Sequence, residues 1–230
     1  PGFIDLHAHG QSNRANEFQA RDGVTTALEL ESGVPSVAGY LGSRAGDAVL
    51  NFGATISHGA LRTAVMPEYR DEVRMALAGL SPDRTEDELE VLGRAISLGN
   101  YDALNKEHYP ELHEQITQGM AEGALGIGMP HQYYPGATRD EIFRLFAHAG
   151  PEKFPIYTHV RSMGIDAIQE VVANAVATGT PLHIVHLNSS SLWDIKTNLD
   201  LIRGAQEAGV DVTTEAYPYK AASTSLESAI

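Results

Sequence analysis

Three short apolar runs in this 230-residue chain end on histidine, and that recurrence constrains the fold more than any other feature. Phe3-Ile4-Asp5-Leu6 leads into His7 and His9, Ile156-Tyr157-Thr158 into His159, and Leu182-His183-Ile184-Val185 into His186. Such runs suit strands of a parallel sheet covered on both faces, which need not alternate with polar residues. On a strand, the i, i+2 spacing of His7 and His9 puts both imidazoles on one face, and Gly10 lets the backbone turn directly after them. A histidine satisfied inside a core explains one such run. Three at matching positions point instead to strands that deliver imidazoles to a common place. In a parallel barrel every strand opens its carboxyl end on one face, where active sites sit, and imidazoles gathered there suit a transition metal.

The rest of the chain repeats the same unit. Further strands are expected at Gly23–Glu31, closed by Ser32-Gly33, and at 47–56, 123–128, 154–159, 181–186 and 210–216. Helices are expected at 36–46, 67–79, 85–98, 109–122, 139–149, 164–178 and 192–208, with Thr85 and Glu88 forming a capping box. Residues 11–22 read as a loop followed by a short turn. Parallel crossovers of one hand then imply an α/β (β/α)8 TIM-like barrel, with strands one to seven present and the eighth unit missing from the given chain. No fixed repeat or linker divides it, so residues 1–230 read as one barrel domain, an incomplete part of a longer chain.

Composition narrows the partners. A formal net charge of −14 disfavours nucleic acid and anionic membrane surfaces, which are held by clustered Lys and Arg. The absence of cysteine rules out disulfides and thiolate ligands, and no apolar run approaches the roughly 18 residues of a membrane span. A cytoplasmic enzyme acting on a small molecule is the expectation, and oligomeric state is not readable.

The opening Pro1-Gly2-Phe3-Ile4-Asp5-Leu6-His7-Ala8-His9, followed by Asp22-Gly23-Val24-Thr25-Thr26, resembles the amidohydrolase superfamily. Glu122-Gly123-Ala124-Leu125-Gly126, Tyr134-Pro135-Gly136, Tyr157-Thr158-His159-Val160-Arg161 and Ala216-Tyr217-Pro218-Tyr219 are similar to its D-aminoacylase and N-acyl-D-glutamate deacylase group. The resemblance runs from residue 1 to about 224. It implies hydrolysis of the amide of an N-acyl-D-amino acid by a hydroxide that one or two zinc ions activate. By the same resemblance, His7 and His9 hold the more buried metal and His159 and His186 the second.

A bridging anion must complete such a centre. The lysine used elsewhere in the superfamily has no counterpart between Lys106 and Lys153, and the cysteine of the D-aminoacylase group is absent, Ser32 standing near its place. Glu29 and Glu31 share a strand face, and Glu31, nearer the strand end, is the favoured bridge with Glu29 as the alternative. For the substrate, Arg161 offers a fork that suits a carboxylate. Tyr133 or Tyr134 offers a hydroxyl, and Lys220 stands in for the lysine that the family pattern places where this chain has Asn188. His58 reads as supporting or structural. The superfamily's general base, an aspartate ending strand eight, has no match after Asp211, so it is expected beyond Ile230. A cyclic-amide hydrolase and a non-catalytic relative are the alternative readings.

Overall fold

The computed structural model describes residues 1–9, 12–81 and 84–224, so Gly10 lies outside the described residues. Seven parallel strands lie in sequence order in one sheet: β1 (Phe3–Asp5), β2 (Val24–Val34), β3 (Asn51–Ser57), β4 (Ile127–Pro130), β5 (Ile156–His159), β6 (Leu182–Ile184) and β7 (Val212–Thr214). Parallel neighbours need a crossover, and helices supply it. These are α1 (Asn13–Arg21), α2 (Val37–Arg44), α3 (His58–Val65), α4 (Arg70–Ala78), α5 (Glu86–Ser97), α6 (Tyr109–Ala121), α7 (Arg139–Glu152), α8 (Ile165–Thr178), α9 (Leu187–Ser191) and α10 (Ile195–Glu207). Strands in this order, with helices between them, are the wall of a partial (β/α)8 barrel. Among the described residues no helix is long and apolar enough to cross a membrane.

Register explains both the core and the mouth. Ile56, Ile127, Ile156, Leu182 and Val212 pair across five successive strands, and each is almost wholly buried. This row joins the core shared with Leu112, Ile116, Leu145, Ile168 and Ile202 of the covering helices. Strand side chains alternate, so the next row, with Tyr157, His183 and Thr213 in register, faces the barrel interior. Two residues further on, the same interior face carries His159 and Glu215 at the mouth.

Two helices were not expected. Helix α1 is too polar to show an apolar stripe, and it is held instead by the Ser12 cap on the Ala15 N–H and by a buried bond from the Arg44 guanidinium to Asn16. In α3 every residue except Ala64 is buried, so no amphipathic period marks it. The expected helix over 192–208 begins instead as α9, with a 3-10 turn at Leu192–Asp194 before α10. Helix α5 starts on the expected capping box of Thr85 and Glu88.

Strand β2 departs from regular pairing in the one place that matters for the site. Glu29 pairs with Ala54, but the next pairing is Val34 with Ile56, so β2 carries three surplus residues against β3. Such a bulge re-aims side chains. It is pinned by the Thr55 hydroxyl, which donates to the Leu30 carbonyl at 2.9 Å. Gly33 has φ +68°, and a β-carbon there would lie 2.6 Å from the Thr55 hydroxyl. Gly128 opposite is equally confined, since its β-carbon would meet the same hydroxyl at 2.5 Å and the Glu31 carbonyl at 2.7 Å.

Candidate metal centre

Four strand ends and the β2 bulge converge at the mouth. Glu31, 3% exposed, lies at the centre of the histidines. One carboxylate oxygen is 3.0 Å from His7 Nε2 and 2.9 Å from His9 Nε2; the other is 2.7 Å from His159 Nδ1 and 3.2 Å from His186 Nε2. The nitrogens of each pair are themselves 3.0 Å apart. Two groups therefore have the make-up and spacing to hold an ion, His7-His9-Glu31 and Glu31-His159-His186, and Glu31 belongs to both. His186 enters by a left-handed turn, φ 35° and ψ 53°, directly after β6. A non-glycine residue there stores roughly 1–3 kcal/mol of strain, a cost that clusters at functional sites.

Each ring is held from behind as well. His7 Nδ1 donates to Glu215 at 2.7 Å, His9 Nδ1 to Glu29 at 2.8 Å and His159 Nε2 to the Gln132 amide oxygen at 2.7 Å, while His186 Nδ1 lies 3.0 Å from the Ser190 hydroxyl. Carboxylate and amide oxygens only accept, so the nitrogen facing them carries a proton, and the other ring nitrogen is the one whose lone pair an ion would take on displacing its proton. The His7–Glu215 bond also joins the residues after β1 to those after β7, which shows how strongly the sheet curls.

The cluster holds charges of both signs. Burial opposes protonation of His7 and His9, but Glu215 and Glu31 outweigh it for the first, and Glu29 and Glu31 for the second, raising them to about 9 and about 10. Glu31 is held well below the usual carboxylate range, because its histidine partners, His159 foremost, overcome its desolvation. Glu215, half-buried, is drawn down to about 2, because its bonds to His183 and His7 outweigh the desolvation that would raise it. Carboxylates that stay ionised next to rings that stay protonated make a place where a cation replaces protons.

The description of the amidohydrolase family matches residues 1–217. The chain belongs to the amidohydrolase family. Within that family it is 27% identical to the D-aminoacylase of Alcaligenes xylosoxydans xylosoxydans over 270 aligned positions, covering 99% of this chain and 48% of that protein. The N-acyl-D-glutamate deacylase of Bordetella bronchiseptica, solved with zinc and a phosphonate mimic of the tetrahedral intermediate, aligns with a TM-score of 0.70 at 19% identity. That match covers 95% of this chain and 48% of the other. A crystal structure of D-aminoacylase aligns with a TM-score of 0.68 at 22% identity over the same shares. The chain thus spans about half the length of the relatives it matches.

As an amidohydrolase-family site, the mouth differs from the sequence expectation in several residues. His9 has a 52% exposed side chain whereas His159 has 6%, so among the described residues the His159–His186 half is the more enclosed one. Arg161 does not offer a free fork: its Nε and Nη2 donate to Glu170 at 3.0 and 2.9 Å and its Nη1 to the Ala137 carbonyl, tying it to α8. Tyr134 is turned into the core, 4% exposed, with its hydroxyl 3.1 Å from His58 Nδ1. Tyr133 remains at the mouth, its ring 4.9 Å from that of His159, and Lys220 is exposed on the segment after β7. Glu29 stands behind His9. Sequence reasoning missed Glu215, Gln132 and Ser190. Glu215 follows the apolar-then-polar ending of β7 just as the histidines follow theirs, a signal that was available; Gln132 and Ser190 lie outside the strands and carry none.

Proposed function

We propose that the protein of which this chain is part hydrolyses the amide bond of an N-acyl-D-amino acid, using zinc held by His7, His9, Glu31, His159 and His186. The observation that carries the reading is Glu31, one carboxylate whose two oxygens each face a separate pair of imidazoles. The donor set fits the ion. Two nitrogens and an oxygen per group, 2.7 to 3.2 Å apart, approach the spacing of about 3.4 Å required by tetrahedral bonds near 2.1 Å. When bound, such an ion lowers the pKa of water toward neutrality and polarises a carbonyl.

The chain's own residues do the rest. Glu29, Glu215, Gln132 and Ser190 hold the four rings in place so that little reorganisation accompanies the reaction. Tyr133, beside His159, is placed to donate its phenol to an oxygen of the substrate, and Lys220 is the candidate for its carboxylate. The amino acid's own side chain is acidic in the favoured substrate, an N-acyl-D-glutamate. Glu29, Glu31 and Glu215 are each bonded to imidazole, so none is free to take a proton from water and pass it to the leaving amine. That role is assigned to an aspartate outside residues 1–230.

The test uses the full-length protein with N-acetyl-D-glutamate, N-acetyl-D-methionine, a hydantoin and dihydroorotate. Turnover of a linear N-acyl-D-amino acid, lost on chelation and in His159→Ala, is expected. Turnover of the rings alone supports the cyclic-amide reading, whose fold an L-hydantoinase shares at a TM-score of 0.56. A folded protein that binds no metal refutes both.

A further inference from the structure

We infer that the full-length protein pairs with a second copy of itself through the groove between α4 and α5. Met75 and Ala76 on α4, with Val91, Ala95 and Leu98 on α5, line this groove of about 600 Å3. The same helices already give Val73 and Leu92 to the core, so the groove is a second apolar stripe beyond what the core takes. Among the described residues it is uncovered: Met75, Val91 and Leu98 are 70%, 56% and 47% exposed. A contiguous patch of this kind marks an interaction site, and a groove between two helices takes a helix. Whatever pairs with the edges of the sheet does so at β1 and β7, remote from α4 and α5, which lie between β3 and β4.

Charge selects the helix that fits. Glu88 and Arg94 also line the groove, three residues to either side of Val91. A two-fold axis at Val91 that runs α5 antiparallel to its copy sets each residue against the one equally far on the other side of position 91. Glu88 then faces Arg94 of the partner subunit, Arg94 faces the partner subunit's Glu88, and Val91 meets its own copy. With the axis between Leu92 and Gly93 instead, Arg94 would lie against an apolar Val91 and Asp87 against Leu98. The groove is therefore complementary to itself in one register. Glu88 is already held in place, accepting from the Thr85 N–H at 2.9 Å and the Ser81 hydroxyl at 2.8 Å. Arg94 pairs with Glu90 in its own helix, an exposed contact worth little and easily exchanged.

The experiment is sedimentation equilibrium of the full-length protein over a dilution series. The unaltered protein should carry the mass of two chains, and Val91→Glu, which puts a carboxylate at the axis, the mass of one. Arg94→Glu and Glu88→Lys should each be monomeric alone, because like charges then face each other at both ends of the contact. Mixed in equal amounts they should recover the dimer, since every glutamate again meets a lysine or arginine. Circular dichroism checks folding, as Glu88→Lys gives up the α5 capping box; if that variant does not fold, Val91→Glu and Arg94→Glu decide. An unaltered protein with the mass of one chain overturns the inference, and shielding of Met75→Cys from a maleimide in that monomer would assign the groove to another segment of the same chain. A dimer that survives Val91→Glu overturns it as well, by placing the contact elsewhere. Charge variants that fold yet stay monomeric when mixed overturn the two-fold pairing of Glu88 with Arg94.

Discussion

His131 lies on the turn that carries Gln132, and its titration should contribute to the acid limit of the fold. The ring is wholly buried. Its Nδ1 lies 3.3 Å from the Thr158 hydroxyl, which itself donates to the Met129 carbonyl, and its Nε2 has no partner among the described residues. Protonation would thus place a charged N–H where nothing accepts it. Burial, helped by the Arg161 cation, depresses the ring from 6.5 to about 3. Because the folded state resists the proton that the unfolded chain accepts, this group's stability is intact above pH 6.5 and is lost as the pH falls from there toward 3. The loss is about 1.4 kcal/mol per pH unit, or about 2 kcal/mol between pH 7 and pH 5. His131→Asn removes the titration. Urea unfolding of both proteins at pH 7 and pH 5 should show the unaltered protein losing about 2 kcal/mol more than the variant over that interval. Equal losses would refute the argument that His131 is held neutral by its surroundings.

Three further outcomes follow from the geometry. Glu31→Gln keeps the shape but removes the charge shared by both halves, so metal content at saturation, read by atomic emission, should fall from two ions to none or one; two retained ions would remove Glu31 from the centre. Gly33→Ala meets the Thr55 hydroxyl and a positive φ, and should cost at least about 1–2 kcal/mol in chemical denaturation while weakening metal binding through the displaced bulge. Glu141→Gln strands the fully buried Arg62, whose Nε donates to Glu141 at 2.8 Å, and should destabilise by about 3–5 kcal/mol, whereas Arg70→Met at the exposed Glu111 pair should cost under about 1 kcal/mol.

Much of this was legible in the sequence because strands have a short period and the histidines sit at their ends. His7, His9, His159 and His186 could be assembled on paper, since a parallel barrel leaves one place for such ends to meet. The spacing of Glu29 and Glu31 likewise put two carboxylates nearby. What was not legible depended on packing. The three-residue surplus in β2 is a relation between two strands, and no feature of residues 24–34 alone states it. Arg161 follows His159 by two positions, which suits a substrate fork, but Glu170 on α8 claims it across a helix contact that has no local signature. Tyr134 and Tyr133 are adjacent and chemically alike, yet one turns to His58 and the other to His159, a choice made by the turn after β4.

The contact of His7 with Glu215 spans 208 residues and that of Glu31 with His186 spans 155, so the centre exists only once the wall has rounded on itself. A pair of ions seated there would act as a rivet between the residues after β1 and those after β6. Closing a loop of that size by a covalent link is worth about 5 kcal/mol in lost freedom of the unfolded polypeptide. Scarcity of metal would then be felt first as a loosening of this wall, before any question of turnover arises.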